Sequence, residues 1–231
     1  MVADRFAFDA PIFLTGAFKF ATRRNLKMKL YYSTGSCSLA ADIVLHEARA
    51  KFDREKVNLQ TKVTETGANF RDVNPKGSVP TLTLDNGEQL TEVAAVCQYI
   101  ADQFPSSKLA PAAGTIERYR VMEWLSFVGS DLHKSFWAFF AKAPDAWQDA
   151  MRQALSARFD FVSTKLDGKQ YLMGDTFTVA DAYLFAVIRW TEFEMVKIDL
   201  SKWPVLAQFK DRVAARPAVR AAMIAQGIIK G

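Results

Sequence analysis

The stretch Met28-Lys-Leu-Tyr-Tyr-Ser-Thr-Gly-Ser-Cys37-Ser-Leu-Ala-Ala-Asp-Ile-Val-Leu-His-Glu-Ala48 decides the fold. Lys29 to Ser33 reads as a short strand, and Gly35-Ser-Cys-Ser38 as a tight turn. Leu39 to Ala48 reads as a helix with Leu39, Ile43 and the Ala40, Val44 row on its apolar face. A strand returns at Arg54 to Leu59. A short helix around Asn69 to Val73 leads into the turn Asn74-Pro75-Lys76-Gly77, and Val79 to Leu84 then alternates as a strand. Asp85-Asn86-Gly87 is a hairpin signal that sets Glu88 to Leu90 antiparallel to it, and Thr91 caps a helix from Glu92 to Gln103. The order βαβ followed by αββα predicts a mixed α/β sheet with helices on its faces.

Downstream the grammar changes. Phe104 to Gly114, with Pro105, Pro111 and Gly114, reads as a linker. Beyond it only helical periodicity appears: Ile116 to Lys142, Pro144 to Leu166, Val179 to Val196, then Trp203 to Ala215 and Ala218 to Ala225, separated by Arg216-Pro217. The expected organisation is an α/β domain over 28–105 and an all-helical domain over 114–231. Residues 1–27 hold five of the eighteen Phe with no sustained period. Their basic cluster Arg23, Arg24, Lys27 follows the apolar stretch, the reverse of a secretory signal. They read either as a translated upstream region with Met28 the functional start, or as an unpacked extension.

Composition excludes several classes. With 231 residues, 50% hydrophobic and 24% charged, the chain is globular and long enough for two cores; disorder and fibre are excluded. Residues 1–27 carry five Lys or Arg against two Asp or Glu, so most of the net +5 sits there and the body offers no basic stripe for nucleic acid. No uncharged apolar run reaches the ~18 residues of a membrane span. Two histidines, His46 and His133, fall in different halves and give no metal cluster. Cys37 and Cys97 are too few for a disulfide scaffold and fit a reducing, cytoplasmic setting.

The two cysteines read differently. Cys37 opens a helix, where unpaired amide N–H groups favour an anion, so its thiol is expected to fall below the ordinary ~8.5. Three positions on stands Ala40, not a second cysteine, so any partner thiol must come from outside the chain. Cys97 shares the Val93, Val96, Ile100 side of its helix and reads as core. Val79-Pro80 begins a strand with a residue that cannot donate, and if that peptide is cis the Val79 N–H and C=O face outward as an edge to which an extended peptide can pair. Thr178 and Asp181 form a capping box ahead of an apolar helix, a folding element rather than a chemical one.

Strand-Cys-helix, Val-Pro-strand and Thr-Glu-helix in this order, followed by an all-helical half, resemble a glutathione S-transferase. The segments Lys29-Leu-Tyr-Tyr, Gly35-Ser-Cys-Ser-Leu39, Asn74-Pro-Lys-Gly-Ser-Val-Pro80, His133-Lys134 and Gly174-Asp-Thr-Phe-Thr-Val-Ala-Asp-Ala-Tyr-Leu-Phe185 are similar to its bacterial beta class. The resemblance runs from Met28 to Gly231. It implies a thioredoxin-like N-terminal domain with a mixed four-stranded sheet, an all-helical C-terminal domain, glutathione as co-substrate, no metal, a small hydrophobic electrophile, and a homodimer engaged in detoxification.

It also implies roles. Cys37 would lie beside the glutathione sulfur and could form a mixed disulfide, giving thiol exchange or peroxidase side activity, with Tyr32 nearby. Val79, with Pro80 cis, would pair with the cysteinyl part. Glu92 would take the γ-glutamyl ammonium, Lys62 the glycyl carboxylate, and Val93, where the family usually carries a small or hydroxylated residue, would offer only its backbone N–H. Ser126, Ser130 and Asp131 match glutathione-contacting positions, and His133 and Lys134 approach the reacting groups. Phe136, Trp137, Phe139 and Trp190 supply at most one or two walls of a second-substrate site. The competing reading is a binding or regulatory protein on the same fold without the chemistry, which Val93 favours weakly.

Overall fold

The computed structural model describes residues 27–231; the leader expectations for 1–26 lie outside them. The chain runs β1 (Met28–Tyr32), α1 (Ser38–Glu47), β2 (Phe52–Asn58), β3 (Val63–Thr64), β4 (Thr81–Thr83), β5 (Gln89–Thr91) and α2 (Val93–Gln103). The helical half follows with α3 (Ile116–Phe127), α4 (Trp137–Phe140), α5 (Asp145–Leu166), α6 (Val179–Ile188), α7 (Pro204–Ala214) and α8 (Pro217–Ala225). The sheet order is β3-β2-β1-β4-β5. β1 pairs parallel with β2 and antiparallel with β4, as the βαβ and hairpin signals require.

The sheet has five strands, not four. The extra one, β3, is two residues long and pairs only Val57 with Thr64 and Asn58 with Val63, too short to show alternation. Thr91 does not cap α2. It ends β5, and Glu92 takes the capping position without a side-chain bond to the helix.

The long helix expected over 116–142 is broken. α3 stops at Phe127, a π-helical turn spans Val128–His133, and a short α4 follows. The cause is local: Ser130 Oγ donates to Ser126 O at 2.9 Å and Ser135 Oγ to Asp131 O at 2.6 Å, back-bonds that compete with the helical ladder and bend it. Likewise α6 ends at Ile188, where Thr191 Oγ1 donates to the Ile188 carbonyl and the chain tightens into a short 3₁₀ turn, Arg189–Glu192.

All ten residues of α6 are buried, which explains its uniformly apolar sequence: it is the central post of the molecule. α1 packs against it and against α8, so one continuous apolar core runs from Leu30 and Leu39 to Leu184, Phe209 and Met223. Arg118, on α3, fastens the halves at the linker. Its guanidinium holds Asp102 with two bonds of 2.8 Å and reaches the Pro111 carbonyl at 3.2 Å. Arg118→Ala is expected to cost about 2 kcal/mol, read as a lower urea midpoint at unchanged m-value, because Asp102 and a linker carbonyl lose their donor together.

Candidate active site

The turn after β1 sets Cys37. Gly35 has φ +69°, a left-handed conformation that favours glycine, and Ser36 N–H closes the turn on Ser33 O at 3.1 Å. Cys37 then caps α1, 8% exposed, with Sγ donating to the Val79 carbonyl at 3.3 Å. The expected gain in acidity is reversed: burial pushes the thiol up to about 12, outweighing the backbone N–H groups of Cys37 and Ser38, and the Glu92 carboxylate adds to the rise. The helix start acts as sequence reasoning supposed, but on a sulfur nearly cut off from water. The Val79 carbonyl is therefore not an open edge; the thiol already occupies it. Cys97 is wholly buried in the core as expected, and burial raises its thiol too.

The Val79-Pro80 peptide is cis. Around it stand the charged residues. Lys62, at φ +59°, lays its chain against Gly77 and donates from Nζ to the Gly77 carbonyl at 2.9 Å. Glu92 adopts φ +71°, a strained backbone for a residue with a Cβ, and its carboxylate meets Lys76 Nζ at 2.6 Å. Lys76 also donates to Thr91 Oγ1 at 2.9 Å. Lys76 went unrecognised because in sequence it is only the third residue of a turn. Val93 is buried at the first position of α2. Tyr32 is also buried, on the Cys37 side of the sheet; burial raises its phenol, and no hydrogen bond ties it to Cys37.

The helical half approaches the Cys37 turn through an aromatic stack. Trp190 Nε1 donates to the Gly35 carbonyl at 2.9 Å, and the His133 ring lies edge-on to Trp190 with centroids 4.8 Å apart. His133 Nδ1 is 2.7 Å from the Tyr183 hydroxyl. Burial, with Lys134 next to it, pushes His133 down to about 4, so the imidazole is neutral near pH 7. Lys134 is exposed. Ser126, Ser130 and Asp131 form a separate surface cluster: the one Ser130 hydroxyl proton is shared between the Ser126 carbonyl at 2.9 Å and the Asp131 carboxylate at 2.7 Å, and Arg158 stands 3.5 Å from the same carboxylate. None of the three hydrogen-bonds to the Cys37 turn.

Of the four aromatic residues expected near a second substrate, Phe136 and Phe139 are core and Trp137 is exposed; only Trp190 stands beside the Cys37 turn. Two others join it. Phe140 stacks on Trp190 at 5.1 Å and on Phe193 at 6.2 Å, and Phe193 reaches within 4.0 Å of where a Cβ on Gly35 would sit. Both are 39% exposed, an apolar surface next to the cysteine turn. Gln226, just past α8, braces the same turn. Its Oε1 accepts from Gly35 N–H at 3.2 Å, its carbonyl accepts from Thr34 Oγ1 at 3.2 Å, and its Nε2 donates to the buried Asp42 at 2.9 Å. No local pattern marks Gln226, since its partners lie in the first turn of the α/β half.

Residues 34–103 match the family model for the glutathione S-transferase N-terminal domain, and residues 130–223 match that for the C-terminal domain. The chain is 40% identical over 202 residues to the glutathione S-transferase GstA of Escherichia coli O157:H7, across 87% of this chain and all of that one. It superposes on a sphingomonad glutathione S-transferase solved with glutathione at a TM-score of 0.83, with 43% identity over 87% of this chain and 100% of that one. A beta class glutathione S-transferase from Sphingomonas chungbukensis gives a TM-score of 0.84 and 45% identity over the same shares.

Proposed function

The chain belongs to the glutathione S-transferase family and is a glutathione transferase; from that premise we propose that it joins the glutathione sulfur to a small apolar electrophile between the Cys37 turn and His133. The observation that carries this reading is the convergence of the Cys37 thiol on the carbonyl of the cis Val79-Pro80 pair, with Glu92, Lys62 and Lys76 on the flanking turns.

The chemistry follows from those positions. An extended tripeptide pairs with the Val79 backbone, and the Cys37 S–H leaves the Val79 carbonyl to donate to the incoming sulfur. A hydrogen bond given to a thiolate favours the charged form, so Cys37 lowers the pKa of the bound thiol, whose proton passes to solvent, while keeping its own proton. The glutathione thiolate then attacks the electrophilic carbon, the new S–C bond forms, and the leaving group departs with its electron pair. Glu92 takes the γ-glutamyl ammonium and Lys62 the glycyl carboxylate. The Val93 N–H, unpaired in the first turn of α2, meets the glutamyl carboxylate. Ser126, Ser130, Asp131 and Lys134 are assigned to glutathione contacts on the family resemblance alone, since the first three form their own surface cluster, and Tyr32 is assigned to back the sulfur. Phe140, Phe193 and Trp190 offer the electrophile its apolar wall.

Exchange through a Cys37–glutathione mixed disulfide, and peroxidase activity through it, is a minor route that gains as the pH rises, because only the thiolate attacks a disulfide. Among the described residues no helix is long and apolar enough to cross a membrane. Both cysteines are free, which fits a reducing, cytoplasmic setting for detoxification. The exposed Tyr119 and Met122 on α3, near the stacked Trp124, Phe127 and Phe161, support pairing with a second copy.

The test is retention on immobilised glutathione together with conjugation of chlorodinitrobenzene. Glu92→Gln is expected to raise KM for glutathione roughly tenfold, the loss of one charge-assisted hydrogen bond, with a much smaller change in kcat. A wild-type chain that neither binds the resin nor conjugates would refute the reading.

A further inference from the structure

His133 closes the π-helical turn, and its imidazole is held on two faces. The Tyr183 ring meets it edge-on at 5.9 Å and 89°, and Trp190 packs at 4.8 Å. Tyr183 stands on α6, 4% exposed, and its hydroxyl has one hydrogen-bond partner among the described residues, His133 Nδ1 at 2.7 Å. The position of an added Cβ on Gly129 lies 3.5 Å from the same hydroxyl, so the π-helical turn covers it from the other side.

The direction of this hydrogen bond is decidable. Burial raises the Tyr183 phenol well above its ordinary range, so it keeps its proton, and His133 is neutral. Were the imidazole proton on Nδ1, the phenol proton would sit in buried surroundings with no acceptor. With Nδ1 bare, the phenol donates into it and both groups are satisfied. The ring proton is then on Nε2. That nitrogen has no protein partner among the described residues and is not sealed from solvent.

We propose that Tyr183 is the positioning residue of His133: by donating to Nδ1 it holds the imidazole as a neutral Nε2–H donor, aimed for the glutathione sulfur as the thiolate forms and attacks. The catalytic half of this rests on His133 belonging to the glutathione site, as proposed above. No covalent bond changes at Tyr183, whose proton stays on its oxygen. The design resembles the orienting partner of a metal-bound histidine, where the bond at one ring nitrogen sets the task of the other.

Nitrogen-15 spectra of ring-labelled histidine test the tautomer directly, since the chain has two histidines and the second is an internal reference. His46 Nε2 receives Arg54 Nη2 at 2.9 Å while its Nδ1 lies 2.8 Å from the Asp42 carbonyl, so His46 carries its proton on Nδ1. The expected spectrum shows one ring of each kind. In Tyr183→Phe the His133 signals should move to a mixture of tautomers and its pKa should rise, because a bond favouring the neutral ring is gone. Conjugation should lose roughly fivefold in kcat, the rate equivalent of one neutral hydrogen bond, with KM for glutathione nearly unchanged. A wild-type His133 protonated on Nδ1, or a Tyr183→Phe chain with unaltered ring signals, would overturn the proposal. The wild-type spectrum decides the bond's direction even if that variant folds poorly. Undiminished conjugation by His133→Asn would overturn the role in catalysis together with the site reading, while the spectra still settle the tautomer.

Discussion

Asp181→Ala is expected to lower the unfolding free energy by about 3 to 5 kcal/mol and the thermal midpoint by roughly 10 °C, the largest effect of any single substitution argued from this structure. The carboxylate, fully buried, accepts from Leu172 N–H at 2.8 Å, Thr178 N–H at 2.8 Å and Thr178 Oγ1 at 2.9 Å. Removing it strands three buried donors at the entry to α6, the helix on which both halves pack. Asp181→Asn keeps the shape and one acceptor, and should fall between wild type and Ala. The pH dependence has a definite sign. Burial pushes Asp181 up to about 6 against those three bonds, so its folded pKa lies above the unfolded one. Its contribution is complete below the unfolded pKa and declines as pH rises through about 6. Denaturant titrations of wild type and Asp181→Ala should therefore converge between about pH 4 and pH 6. A gap that widens over that interval would mean the hydrogen bonds to the carboxylate outweigh its desolvation.

The second large effect is on Cys37. With its thiol pushed up to about 12, on the order of one molecule in a hundred thousand is thiolate at pH 7, against a few per cent for a free cysteine. Iodoacetamide should therefore label Cys37 about a thousandfold more slowly than free cysteine at pH 7, with a rate that climbs through pH 10 without a plateau. Mass-spectrometric time courses, with Cys37→Ala to measure the Cys97 background for subtraction, give the profile. A plateau near pH 7 would restore the reading in which the helix start governs the thiol, and with it a rapid mixed disulfide.

Where the sequence was readable, and where not, follows from the range of the interactions. Apart from β3 and the cap of α2, the strand and helix order over Met28 to Gln103 forms as expected, as do the Asp85-Asn86-Gly87 hairpin and the Thr178/Asp181 box, because all are local patterns. β3 was invisible at two residues, and the break after Phe127 turns on serine back-bonds that an apolar period does not register. The position of Cys37 at a helix start was legible; its burial was not, because the Val79 carbonyl that covers it stands 42 residues away. Tyr183 read as one more apolar residue of a core helix, and Gln226 as an ordinary polar residue. Their meaning comes from His133 and Gly35, partners 50 and 191 positions distant.

The brace that Gln226 gives the Thr34–Gly35 turn also has a history in time. Its two contacts span 191 and 192 positions, so at the usual rate of synthesis the turn waits roughly 10 to 40 s for the residue that secures it. During that interval the α/β half can form its sheet, while the ground on which Cys37 stands is still unanchored. The reactive centre is thus finished by the far end of the fold: a ribosome that stalls within the helical half leaves a nascent chain with strands and a cysteine, and no assembled site.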